Sequence, residues 1–328
     1  MPGVHTSFHA DRFATCELGV KTSNLRRSMH QLEKYEISGS PSSCPACGKT
    51  TSSINYRYTR NTDQSFIYRC SHCTLEFLRP LVLTELNERK MESVGDAEMF
   101  NSNILRSLHE RLIIRPEIIK VRKFLGRNDF SMLDIGCGTG WISQIWADTG
   151  VRVTGLEPSH PRAEIARQRG LRVLSCYAEE LNTNECFDLI VIRHVVEHLE
   201  YPAKILRDLI HRLTPNGLLL IIVPNIDCIG RKIFTTDWTW VLPFHCNFFN
   251  PRSLRTLLDA CGYDIAQIYQ TPSPLWYPES FARRFPRVGR LLSMTPASML
   301  LFAPLIALGY MTYHSDNITV LAIPTKKK

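Results

Sequence analysis

The chain predicts an α/β fold, a doubly wound and mostly parallel sheet with a small cysteine ribbon ahead of it, and three observations predict it. Apolar runs alternate with helically periodic stretches between Leu133 and Val223, the pattern of parallel strands covered by helices on both faces. One of those runs, Leu133-Asp134-Ile135, passes directly into Gly136-Cys137-Gly138-Thr139-Gly140. Nearer the N-terminus, Cys44-Pro45-Ala46-Cys47 and Cys70-Ser71-His72-Cys73 form two C-x2-C pairs.

The glycines at 136, 138 and 140 remove Cβ atoms where backbone turns tightly and approaches a ligand, and a helix predicted over 141–148 presents its first N–H groups there. That implies a nucleotide-like cofactor. The spacing is G-x-G-x-G, with Trp141 where a dinucleotide fingerprint has its last glycine, which disfavours NAD and flavin. A plain structural turn is the competing reading. Against it stands the order of the downstream elements. A second strand over 151–156 ends in Glu157, spaced for a carboxylate that accepts from both ribose hydroxyls. A third run over 171–174 leads to Tyr177-Ala178-Glu179, a fourth covers 187–192, and the turn 213–217 feeds a fifth over 218–223. Asp134, Glu157, Tyr177 and His194 all fall at carboxyl ends of strands, where sheets of this kind bind ligands.

This arrangement resembles the class I S-adenosylmethionine-dependent methyltransferases, whose motif I is a strand-end acid followed by this glycine loop. The resemblance implies a seven-stranded, Rossmann-like sheet. It also implies that Asp134, Gly136, Cys137, Gly138 and Gly140 hold the amino acid portion of the cofactor, Glu157 the ribose, and Tyr177 and Ala178 the adenine. Arg193 and His194 complete the candidate cofactor set. Cys176 and Tyr177 stand where the family usually writes Gly-Asp, so the adenine contact departs from the pattern.

With 328 residues the chain holds one catalytic domain and a smaller appendage. Thirty-nine basic against 31 acidic residues give +8, an excess that selects neither nucleic acid, anionic lipid nor anionic substrate. The 11 cysteines lack the size and leader of a disulfide-built secreted domain, which points to a reducing cytoplasm. Residues 1–40 are polar and aperiodic and are expected to be disordered; an organelle transit peptide is the alternative, weakened by Asp11 and Glu17. The expected domains are a zinc ribbon over 41–82 and a methyltransferase domain over 83–328, with a lid insertion at 225–250 and an apolar insertion at 280–315.

Cys44, Cys47, Cys70 and Cys73 can close a tetrahedral structural Zn²⁺ site, with a hairpin between the knuckles absorbing the 22 intervening residues. No thioredoxin-like βαβ unit surrounds either pair, so a redox role is disfavoured. The second knuckle, Tyr68 to Pro80, resembles that of zinc-bearing methyltransferases of polysaccharide and deoxysugar biosynthesis, a resemblance covering about 44–323. That implies a ribbon beside the substrate cleft.

After the fourth strand comes Arg193-His194-Val195-Val196-Glu197-His198-Leu199. On a helical turn, 194, 197 and 198 share a face. The Glu-His pair resembles the corresponding turn of sugar methyltransferases, which makes His198 the first candidate general base, with Glu197 orienting it and His245 the second candidate. A structural role for His198 at the helix start is equally open. Quinone-pathway O-methyltransferases hold a divalent metal here, but His194 replaces an acid in that set, and Mg²⁺ prefers oxygen ligands. Trp238, Trp240, Phe244, His245, Phe248 and Phe249 form an aromatic lid segment, read as core first and as substrate platform second.

From Leu291 to Ser315 no residue carries a full charge, long enough to span a bilayer but for Pro296 and Pro304 and a last strand predicted over 317–323. Packing on the domain or a partner is favoured over peripheral membrane contact through 283–313 beside Arg283, Arg284, Arg287 and Arg290. The function expected is methylation, O-methylation first, of a small-molecule acceptor such as a sugar or glycan intermediate. An RNA methyltransferase and a non-catalytic cofactor-binding subunit are the alternatives; nucleic acid is disfavoured because no Asn-Pro-Pro-Tyr-like motif follows the fourth strand.

Overall fold

The computed structural model describes residues 31–33, 38–60, 63–79, 103–181, 184–242, 244–273, 276–289 and 296–326. Of residues 1–40, expected to be disordered, 1–30 and 34–37 lie outside the described residues, while 31–33 and 38–40 lie in strands. Strands β1 (Gln31–Glu33) and β2 (Ser38–Ser43) both pair on β3 (Thr50–Arg60), which turns back through β4 (Asp63–Arg69) to β5 (Glu76–Arg79). The hairpin expected between the two cysteine knuckles is β3–β4.

A long helical stretch then leads into the main sheet. It consists of α1 (Asn103–His109), a π-helical turn over Glu110–Ile114 and α2 (Arg115–Leu125), closed by Gly126. The glycine-loop unit comes next as β6 (Ser131–Ile135), α3 (Trp141–Ala147), β7 (Arg152–Leu156), α4 (His160–Gln168) and β8 (Arg172–Leu174). Beyond it lie β9 (Phe187–Arg193), α5 (Pro202–Ile210), β10 (Leu213–Pro224), α6 (Ile229–Phe234) and β11 (Asn247–Phe248). The chain ends through α7 (Pro251–Cys261), β12 (Tyr263–Thr271), α8 (Trp276–Arg284), α9 (Pro286–Gly289), α10 (Pro296–Met311) and β13 (Asn317–Pro324).

Seven strands run in the order β12-β13-β10-β9-β6-β7-β8, parallel except that β13 is antiparallel to both neighbours. Alternation along β10 shows why helices must cover both faces. Leu218, Leu220 and Ile222 pack with Ile114, Ile118 and Val121 of the preceding helical stretch, whereas Leu219, Ile221 and Val223 pack with Leu206 of α5 and Leu254 and Leu257 of α7. Side chains alternate between faces with period two, so a strand apolar at every position needs cover on each side. The order reverses at β6 and β9, which opens a crevice at their carboxyl ends.

Two elements differ from expectation. The segment 213–217 is part of β10, with a register break before Leu218, rather than a separate turn. The apolar C-terminal helix packs on the domain on one side only: Phe302 is buried against Tyr277 and Phe281, while Leu300, Leu301 and Met311 stay exposed. No helix among the described residues is long and apolar enough to cross a membrane.

Candidate functional site

The glycine loop is built by three left-handed glycines, with φ of +75° at 136, +57° at 138 and +76° at 140. Two of them have no room for a side chain. A Cβ on Gly136 would stand 2.5 Å from Val195 Cγ2, and one on Gly140 would stand 2.8 Å from Ala166 Cβ. Asp134 is buried at the end of β6 and accepts from the Ser143 hydroxyl at 2.5 Å. Glu157, just past β7 and 4% exposed, accepts from the Gly138 and Ser159 N–H groups, each at 2.9 Å. Cys137 is buried beneath the loop, and Tyr177 and Ala178 sit at the rim after β8, with the Tyr177 ring exposed. A loop without Cβ bulk, flanked by two strand-end carboxylates, fits the amino acid and ribose portions of S-adenosylmethionine. Arg193 is tied to α2, its guanidinium bound to the buried carboxylate of Glu117.

Across the crevice, the turn after β9 is not the helical one expected. His194 adopts φ +53°, a region non-glycine residues enter at a cost of about 1–3 kcal/mol, and its N–H is held by the Ile222 carbonyl at 2.9 Å. A 3-10 turn over Val196–His198 comes next. The left-handed residue, not helical periodicity, brings His194 to Glu197, with Nδ1 3.4 Å from Oε1. The same reversal lays Val195 over Gly136.

Glu197 is 1% exposed, and among the described residues neither carboxylate oxygen has a hydrogen-bond partner. His198 is anchored through Nδ1, 3.2 Å from the Phe244 carbonyl oxygen. A carbonyl only accepts, so Nδ1 carries a proton, and in the neutral ring Nε2 is the accepting nitrogen. The buried His245 ring meets His198 edge-on with centroids 4.6 Å apart; burial pushes its pKa well below the ordinary histidine range, with His198 and His194 adding to the effect, so it is neutral. Ligand atoms of Glu197, His198 and His245 lie within 4.8 Å of one another. Two imidazoles and one carboxylate are not the all-oxygen set of Mg²⁺.

Residues 246 and 247 hold this turn through its backbone. Cys246 donates its N–H to the Glu197 carbonyl at 3.0 Å and its thiol to that of His198 at 3.1 Å, and Asn247 Nδ2 donates to the Leu199 carbonyl at 2.7 Å. Trp240 stacks on His194 at 4.7 Å and lies nearly parallel to His245 at 5.6 Å, with Trp276 against its edge at 4.6 Å. His109, absent from the sequence candidates, joins the same wall 5.4 Å from Trp141. Burial pushes its pKa down to about 3, with Arg193 and His194 contributing. No sequence signal marks it; in the structure it precedes a π-helical turn, a distortion frequent at functional sites.

The four ribbon cysteines converge. Cys44 Sγ lies 3.5 Å from Cys73 Sγ and Cys47 Sγ 3.6 Å from Cys70 Sγ. Disulfides are about 2.05 Å long, whereas sulfurs bound tetrahedrally at about 2.3 Å from zinc stand roughly 3.8 Å apart. The donor set and spacing fit zinc.

Residues 100–268 match the family described as "Methyltransferase domain". A ubiquinone biosynthesis O-methyltransferase of Rickettsia canadensis is 31% identical over 171 residues, covering 47% of this chain and 72% of that protein. The mitochondrial enzyme of that name from Rattus norvegicus is 26% identical over 168 residues, covering 44% and 49%. For most such relatives the chain spans about half their length. Among solved structures, the Burkholderia thailandensis 1,6-didemethyltoxoflavin-N1-methyltransferase is 17% identical with a TM-score of 0.46, covering 82% of this chain and 99% of that one. The family match covers more than half of the chain, which therefore belongs to the methyltransferase domain family and is an S-adenosylmethionine-dependent methyltransferase.

Proposed function

We propose that the protein methylates a hydroxyl oxygen of a small-molecule acceptor, with His198 as general base. One observation carries this reading: His198 is locked by the Phe244 carbonyl in the tautomer whose Nε2 accepts a proton, beside the buried carboxylate of Glu197. When bound, S-adenosylmethionine supplies a methyl group activated on a sulfonium. Asp134, Gly136, Cys137, Gly138 and Gly140 hold its amino acid portion, Glu157 its ribose, and Tyr177 and Ala178 line the adenine edge. His198 Nε2 takes the acceptor's proton, and Glu197 offsets the imidazolium that results. His245, neutral and buried, supports the His198 ring. Arg193, fixed by Glu117, and His194, held in its strained conformation, form the wall between the two ligands. Alignment of the hydroxyl with the methyl is the remaining contribution of the cleft.

Trp240 is itself buried with its ring stacked on His194, so it shapes the wall of the cleft rather than offering a free face. The relatives' names, ubiquinone biosynthesis O-methyltransferase, favour an acceptor from a quinone pathway; the ribbon's resemblance to polysaccharide and deoxysugar enzymes favours a sugar or glycan intermediate. The four-cysteine cluster is read as a structural zinc site. Calorimetry with S-adenosylhomocysteine, then transfer assays on catechols and nucleotide-linked sugars, tests the reading. His198→Ala is expected to lower kcat about 10²- to 10⁴-fold and leave S-adenosylhomocysteine affinity unchanged. Failure of the zinc-loaded chain to bind S-adenosylhomocysteine, or an unchanged kcat in the variant, overturns it.

A further inference from the structure

Among the described residues, α9 and α10 carry an exposed apolar face that the reaction does not use. Phe302 of α10 is buried against Tyr277 and Phe281 of α8, but Leu300 is 77% exposed, Leu301 59%, Tyr310 61% and Met311 76%. Tyr313 just beyond, and Phe285 and Val288 across the kink into α9, extend the exposed face. A water-soluble helix normally turns a polar face outward; this one has no charged residue in 16.

As described, over Pro296–Met311, the helix is too short for a span. Sixteen residues make about 24 Å of helix, less than the roughly 30 Å of a hydrocarbon core, and β13 returns to the sheet only five residues after α10. The segment therefore lies along whatever covers it. Between residues 280 and 315 the sequence holds four arginines and no aspartate or glutamate. Arg283 is tied to Glu279 and Arg284 to Asp237, whereas Arg287 is exposed beside Phe285 and Val288. Two copies placed face to face would bring like charges together. An anionic surface complements them, with tyrosines at the level of its headgroups.

We propose that α9 and α10 form a monotopic docking surface for an anionic lipid bilayer. The surface adjoins the acceptor cleft: α8, on which Phe302 packs, carries Trp276, whose ring meets Trp240 over His194. Docking sets the mouth of the cleft at the headgroup level. The proposal stands apart from the identity of the acceptor.

The test is flotation of the full chain with vesicles of phosphatidylcholine alone and with about one-third phosphatidylglycerol, a composition chosen to supply the anionic potential. The wild type is expected to float at least ten-fold more with the anionic vesicles. Leu300→Glu/Leu301→Glu and, separately, Arg287→Glu should lose most of this while keeping S-adenosylhomocysteine affinity, which reports intact folding. Should the double variant not fold, Arg287→Glu and the salt dependence of flotation decide the matter. Equal flotation with both vesicle types, wild-type flotation by the variants, or a dimer in sedimentation that Leu300→Glu/Leu301→Glu dissociates would each overturn the proposal.

Discussion

Two buried carboxylates show how position decides what an acid does here. Glu197 faces the crevice beside a histidine pair. Asp316 lies against Gly230 of α6, where its Oδ2 accepts from the Ser273 N–H at 3.2 Å and burial raises its pKa to about 7. The unfolded chain loses that proton near the ordinary aspartate value of about 3.9. Between about pH 4 and 7 the folded chain thus holds a proton that the unfolded chain has released, so stability falls as pH rises through this window. The loss is about 1.4 kcal/mol per unit, at most roughly 4 kcal/mol in total. Asp316→Asn cannot ionise. Its melting temperature relative to wild type is expected to climb from pH 4 to 7 and to level off above, and parallel profiles of the two proteins would contradict this.

At the scale of elements, the ribbon and the catalytic turn are joined by a short strand. Leu78 of β5 donates to the Cys246 carbonyl at 2.9 Å while Cys246 donates to Glu197, and Asn250, the cap of α7, accepts from and donates to Thr74 next to Cys73. Because metal binding supplies much of a small ribbon's folding energy, stripping zinc should loosen the backbone that holds His198. The expected result is a fall in kcat of ten-fold or more with S-adenosylhomocysteine affinity within about two-fold, restored by zinc; metal analysis should give one zinc per chain. A simultaneous loss of both would assign the ribbon to the cofactor side. The resemblance placed the ribbon beside the cleft, but none of the contacts that couple them was legible in the sequence. The strands and the glycine loop were, because apolar runs and required left-handed glycines are local signals. The pairing of β5 with a two-residue strand about 170 positions later is not local, and neither is the left-handed His194, which only Ile222 and the lid hold in place. His109 is hidden for the same reason: nothing near it in sequence announces that a π-helical turn points it at Trp141.

For the whole molecule, the ribbon and the sheet share one core. Tyr68, Cys70, Cys73, Leu75 and Phe77 pack in the same cluster as Leu206 of α5, Phe249, and Leu254 and Leu257 of α7, which in turn cover Leu219 and Ile221 of the central sheet. Phe77 is fully buried and stacks on Tyr68 at 5.6 Å. Exposing such an aromatic side chain costs roughly 1.5–3 kcal/mol, so the ribbon is expected to unfold together with the cluster it shares with the sheet. The zinc-loaded chain should therefore melt in one transition, with calorimetry, far-ultraviolet circular dichroism and tryptophan fluorescence giving coincident midpoints. A ligand that binds only the folded state shifts the entire equilibrium, and chelation should accordingly move this single transition downward without splitting it. Two resolved transitions, the upper one indifferent to chelator, would mean that the sheet stands without the ribbon and that the shared cluster couples them weakly. A single transition would instead make metal at the four cysteines a determinant of the stability of the whole sheet, whose Leu156, Leu219 and Ile221 lie in the same cluster as Cys44, Cys70 and Cys73.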